Sequence, residues 1–129
     1  MSNVLGHHFL IEMYECDAAL LNDVAMIRRQ MLNVARACQM TIIHHYFHCF
    51  TPHGISGFIV IAESHLAIHT WPECGYAAVD LFTCGRTDLL ENCIQHLRQQ
   101  FGCQRLTTVQ VQRGNRWQTA HASAQLSLL

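Results

Sequence analysis

The chain has 129 residues and a formal net charge of −1; half of its residues are hydrophobic and 13% are charged. This describes one globular domain, residues 1–129, and excludes a disordered chain. With no basic stripe it also excludes an electrostatic grip on nucleic acid. All eight basic residues are arginine, so chemistry tethered through a lysine amine is excluded too.

The start, MSNVLGHHFL, lacks the basic segment and long apolar run of a signal peptide. No apolar run is long enough to span a membrane, so no membrane partner is expected and the expected compartment is the cytoplasm. The seven cysteines then read as reduced thiols rather than a disulfide framework.

In chain order, residues 5–14 alternate, with Phe9, Ile11 and Met13 on one face and Leu10, Glu12 and Tyr14 on the other, and predict a strand. Asp17 is the expected N-cap of a helix running to about Cys38, whose Leu20, Val24, Ile27, Met31, Val34 and Cys38 recur at helical spacing. Residues 41–50 are β-branched and aromatic, hence a strand ended by Pro52 and Gly54. Residues 57–62 form a continuous apolar run that fits a buried strand. A short strand or turn is expected at 65–70, a turn at Pro72 and Gly75, and a strand at 76–83. Thr87 is the expected cap of a helix over 87–101, with Leu90, Ile94, Leu97 and Phe101 on its apolar stripe. Residues 104–112 make a last strand closed by Gly114, and the polar tail after Arg116 is expected to be loose.

This order predicts an α+β fold: a two-layer sandwich in which an antiparallel-rich sheet carries two helices on one face. The other face is either wet or meets a second copy at a dimer interface. Parity sorts the residues. Ala77, Val79 and Leu81 suit helix packing, while Tyr76, Ala78, Asp80, Phe82 and Cys84 share the opposite face. Ser56, Phe58, Val60 and Ala62 also share a face, which leads on to Ser64.

Ser56, Glu63, Ser64, His65, His69, Trp71, Glu73 and Cys84 are nucleophiles, proton carriers and an aromatic gathered in a short stretch. A metal site is one reading, since His44 and His48, and His65 and His69, are each four apart. Both segments read as strands, however, where that spacing does not converge ligands, and no metal is expected. A Cys–His hydrolase is a second, weak reading, because seven cysteines and ten histidines make a chance pairing easy.

The third reading rests on a resemblance. The stretch HGISGFIVIAESHLAIHTWPECGYAAVDLFTCG, residues 53–85, with weaker similarity from LGHH at 5–8 to RG at 113–114, resembles the prokaryotic-type S-adenosylmethionine decarboxylases. That resemblance implies internal serinolysis at Glu63–Ser64: the Ser64 hydroxyl attacks the Glu63 carbonyl, and an N→O acyl shift gives an ester. Elimination leaves dehydroalanine, which hydrolyses to a pyruvoyl group and ammonia. The products are residues 1–63 and 64–129, and the cofactor is the pyruvoyl group derived from Ser64, the carbonyl that a lysine-free chain otherwise lacks.

Residue by residue, the resemblance implies that His69 transfers protons during processing. Ser56 assists, by hydrogen-bonding the tetrahedral intermediate. Cys84 is the acid that reprotonates the substrate α-carbon, and Glu73 the carboxylate for the ribose hydroxyls of S-adenosylmethionine. Phe50 and Trp71 are either pocket rings for adenine and the sulfonium or ordinary core aromatics. A homodimer of processed protomers, with both copies completing each pocket, is implied as well. Cys74, Arg86 and Glu15 depart from the family's usual pattern of tyrosine, an acidic residue and glycine. Cys74 and Arg86, which flank expected active-site residues, leave open arginine or ornithine as the substrate of the same pyruvoyl chemistry. A non-processing homologue that only binds a partner is the remaining alternative.

Overall fold

A computed structural model describes residues 3–84 and 86–116. Six strands form one antiparallel sheet: β1 (Val4–Tyr14), β2 (Ile42–Cys49), β3 (Ile55–Ile61), β4 (Ser64–Trp71), β5 (Tyr76–Thr83) and β6 (Arg105–Asn115), in the order β2-β3-β4-β5-β1-β6. Helices α1 (Ala18–Leu21), α2 (Val24–Ala37) and α3 (Leu89–Phe101) complete the fold, with a short 3-10 turn at Pro72–Cys74. The α+β two-layer reading holds: Phe9, Ile11, Met13, Ile59, Leu66, Ile68, Val79 and Leu81 project from the sheet into a core closed by Ile27, Met31, Val34, Cys93, Leu97 and Phe101. No helix of the described residues is long and apolar enough to cross a membrane.

The helix expected over 17–38 is two. Asp17 does cap, accepting from the Ala19 N–H at 2.9 Å, but Asp23 caps again at the Met26 N–H, 3.0 Å away. The intervening Asn22 is diverted: its Oδ1 accepts the Gly54 N–H at 3.1 Å, and the Thr70 hydroxyl takes the Leu21 carbonyl at 2.8 Å. Two competing caps and a tertiary hydrogen bond outweigh continuous helical periodicity.

Three further boundaries move. Residues 64–71 are a full strand because Ala62 and Glu63 alone make the turn and Leu66, Ile68 and Thr70 are buried. In α3 the cap position is Asp88 rather than Thr87; the Asp88 carboxylate binds Arg86 at 3.1 Å and makes no capping bond. The buried stripe of α3 is Leu89, Cys93, Leu97 and Phe101, so Leu90 and Ile94 lie at its flank. β6 runs past Gly114, which adopts φ +70° at its end. The tail expectation falls on residues 117–129, outside the described residues.

Among the described residues no helix lies over the sheet's other face. Tyr46, Phe58, Trp71, Val109 and Val111 are exposed large apolar side chains on it. The helix face is packed closely: a Cβ on Gly57 would overlap the ring of Phe47, its cross-strand partner.

Candidate active site

The chemistry-bearing residues form two groups at opposite ends of the β3–β4 hairpin. The first is built by the β3–β4 hairpin. Ile61 pairs with Ser64, so Ala62 and Glu63 form a two-residue turn. That turn is clamped from both sides. The Ala62 N–H donates to the Thr41 carbonyl at 2.8 Å, and the Glu63 carboxylate accepts the Thr41 N–H at 3.1 Å. The Glu63 carbonyl accepts the Cys84 N–H at 2.9 Å. Ser64 itself has φ +153°, a backbone conformation that L side chains seldom adopt and that strains the chain at this residue. Its hydroxyl lies 3.4 Å from the Cys84 thiol, which is exposed.

An amide N–H aimed at the Glu63 carbonyl is the arrangement that stabilises negative charge developing on that oxygen. The neighbouring hydroxyl belongs to the next residue, so attack on that carbonyl closes a five-membered ring. Thr83, the β5 partner of Ser64, has a buried hydroxyl with no hydrogen-bond partner among the described residues.

The second group sits at the far end of β3 and β4. Ser56 and His69 are cross-strand partners, with Ser56 Oγ 2.8 Å from His69 Nδ1. They open into a cavity of about 320 Å³ that Phe50, His53, Trp71 and Glu73 also line. Phe50 and Trp71 are exposed, so the core-aromatic alternative is wrong for both. Trp71 leans on Tyr76 with centroids 5.3 Å apart, and Phe50 meets His48 edge-on at 4.6 Å. The Glu73 carboxylate is held below the usual carboxylate range by its own backbone amide, against the opposing effect of burial, and further by His53.

One chain does not bring the two groups together. Ser64 and His69 are five residues apart on β4, about 16 Å at ~3.3 Å per residue. Within one chain, therefore, neither His69 nor Ser56 reaches the Glu63 carbonyl, and the group that does is the Cys84 amide.

Between the two groups lies a cluster of His8, His65 and Asp80; sequence reasoning singled out His65 and placed Asp80 on this face, but did not bring His8 to them. His8 Nε2 is 3.1 Å from Asp80 Oδ1. His65 packs between Phe58 and Phe82, with centroids 5.1 and 5.5 Å away. Burial and then the neighbouring His8 push the His65 imidazole below the ordinary histidine range, against the pull of Asp80. Strand parity was the available signal, since His8, His65 and Asp80 all alternate onto the uncovered face. The Tyr76 hydroxyl donates to Glu12 at 2.7 Å. Among the described residues no three His, Cys, Asp or Glu side chains converge as a metal site.

The family described as S-adenosylmethionine decarboxylase matches residues 7–114. The S-adenosylmethionine decarboxylase proenzyme of Acidithiobacillus ferrooxidans is 46% identical over 110 residues, 85% of this chain and 83% of the relative. That of Acetivibrio thermocellus is 46% identical over 112 residues, 87% of this chain and 90% of the relative. The crystal structure of the adenosylmethionine decarboxylase from Aquifex aeolicus superposes with a TM-score of 0.79 and 33% identity, covering 86% of this chain and 92% of that one. The monomer of the Trypanosoma brucei protein shares the fold alone, with a TM-score of 0.62 and 15% identity over 81% of this chain and 45% of that one. A family match running from β1 to β6, with 46% identity over 85% of the chain, shows that this protein belongs to the S-adenosylmethionine decarboxylase family.

Proposed function

We propose that this chain cuts itself at Glu63–Ser64 and, with the resulting pyruvoyl group, decarboxylates S-adenosylmethionine to the aminopropyl donor of polyamine (spermidine) synthesis. The observation that carries the reading is the Glu63–Ser64 turn. Its carbonyl already accepts the Cys84 N–H at 2.9 Å, and the attacking hydroxyl belongs to the adjoining residue in a strained conformation. As the Ser64 oxygen bonds to the Glu63 carbon, charge grows on an oxygen that has its donor. Elimination of the resulting ester leaves Glu63 as a free carboxylate and residue 64 as dehydroalanine, which takes up water to give the pyruvoyl ketone and release the Ser64 nitrogen as ammonia.

The surroundings of Ser64 fit a keto group. The Cys84 thiol lies alongside, and the Thr83 hydroxyl is buried without a partner among the described residues. A pyruvoyl group supplies an electrophilic ketone conjugated to an amide, which serves as an electron sink. Cys84 is the acid beside it, delivering a proton to the substrate α-carbon. Phe50 and Trp71 offer π faces to a base and a sulfonium, and Glu73 accepts from ribose hydroxyls.

The working unit is a homodimer joined through the uncovered face. Two observations support it: that face carries exposed Phe58, Tyr46, Val109 and Val111, and the two halves of the site stand about 16 Å apart in one chain. A two-fold axis between the ends sets Ser64 and Cys84 of one copy against Ser56, His69 and Glu73 of the other.

The test has two parts. Intact mass of purified protein gives two fragments split between residues 63 and 64, and a single chain for Ser64→Ala. The processed enzyme then releases CO₂ from S-adenosylmethionine in preference to arginine or ornithine. A Ser64→Ala chain that still splits at that bond overturns the serinolysis; preference for an amino acid overturns the substrate.

A further inference from the structure

We propose that His53 is a positioning residue that sets Glu73 to accept a neutral diol and to reject a cationic side chain; the inference rests on the substrate reading above. His53 Nε2 lies 2.9 Å from Glu73 Oε2. Both residues line the same cavity as Phe50 and Trp71.

The two residues come from separate segments, and each is held firmly. The loop carrying His53 is closed by the Phe50 N–H donating to the Gly54 carbonyl at 2.8 Å. It is pinned to the helix side by the Gly54 N–H on Asn22 Oδ1 at 3.1 Å. The 3-10 turn carrying Glu73 ends at Gly75, in the left-handed region at φ +60°, whose N–H donates to the Pro72 carbonyl at 3.1 Å. The Gly75 carbonyl in turn accepts the Cys16 N–H at 2.9 Å. The contact therefore joins two braced backbone segments, unlike the chance meeting of two long side chains on a surface.

A carboxylate presents two oxygens, and His53 occupies Oε2. The remaining oxygen suits hydroxyl donors, whereas a guanidinium binds best to both oxygens at once. An imidazole N–H held against the carboxylate also weakens the negative potential that draws an ammonium. His53 and Glu73 side chains are 41% and 46% exposed. A pair that open adds little to stability, so its removal reads on ligand placement.

The experiment uses processed parent, His53→Ala and His53→Gln. It measures self-cleavage by intact mass, melting temperature, kcat and KM for S-adenosylmethionine, and inhibition by arginine. His53→Ala is expected to cleave fully and melt with the parent, with kcat within about twofold and KM about tenfold higher, the worth of one aligned hydrogen bond. Arginine inhibits it more strongly than it inhibits the parent. His53→Gln keeps an N–H for Glu73 and recovers most of the KM. An unchanged KM in His53→Ala, a glutamine variant no better than alanine, or a melting temperature that falls as the KM rises overturns the assignment. A parent that fails to decarboxylate S-adenosylmethionine overturns the substrate reading instead, so that control separates the two failures.

Discussion

The separation of Ser64 from His69 makes a sharp test of the shared active site. The gap of about 16 Å compares with the ~3 Å that a hydrogen bond spans, and no rotamer of either side chain closes it. If His69 acts on Ser64, it acts on the partner's. A Ser64→Ala chain and a His69→Ala chain, carrying different tags, are each expected to stay whole when expressed alone. Co-expressed, they pair at random, and about half of the dimers are mixed. Each mixed dimer holds one site with an intact Ser64 and an intact His69 from opposite chains, and one site with both lesions. About half of the His69→Ala chains, roughly a quarter of all chains, are then cut, and the Ser64→Ala chains are not. Intact mass spectrometry distinguishes the two by their tags. Mixed dimers isolated by tandem affinity that contain no cut chain refute the shared site. Cleavage of the His69→Ala chain alone at the parent's rate removes His69 from the processing step.

Cys84→Ala keeps the backbone amide on the Glu63 carbonyl and is expected to self-cleave. It should lose at least about tenfold in turnover and convert its N-terminal pyruvoyl to alanine, read by fragment mass; normal turnover assigns the acid elsewhere. Trp71→Ala and Phe50→Ala should raise KM by about tenfold each and leave self-cleavage intact, because both rings are exposed at the cavity; equal loss of cleavage contradicts a binding role. His65 titrates lower when folded than its unfolded value of about 6.5, so the unfolded chain takes up the proton first and stability falls as the pH drops through and below that value. Thermal midpoints between pH 7 and pH 5 should decline less steeply for His65→Phe than for the parent; parallel slopes contradict the assignment.

Much of the sheet was legible in the chain because strand faces depend on local parity alone. Alternation put Phe9, Ile11 and Met13 on one face of β1, and Asp80 and Phe82 opposite the helix-packing Ala77, Val79 and Leu81, and the structure agrees. The motif around Glu63–Ser64 was legible for a similar reason, since a scissile bond and its nucleophile are adjacent in the chain. Where helical signals competed, only the tertiary structure decided. Asn22 reads as a helical residue until Gly54 arrives to claim its side chain, and Thr87 reads as a cap until Arg86 and Asp88 pair.

The site was divided in the same way. Ser56 to Cys84 is a compact stretch of sequence, but extended chain advances ~3.3 Å per residue, so closeness in sequence becomes distance in space. Hairpin register brought Ser56 onto His69 and carried Cys84 back to Ser64, while β4 held those two pairs apart. The contacts of His53 with Glu73 and of the Cys84 amide with the Glu63 carbonyl arise from strand pairing and loop closure, which are long-range events with no periodic trace in the chain.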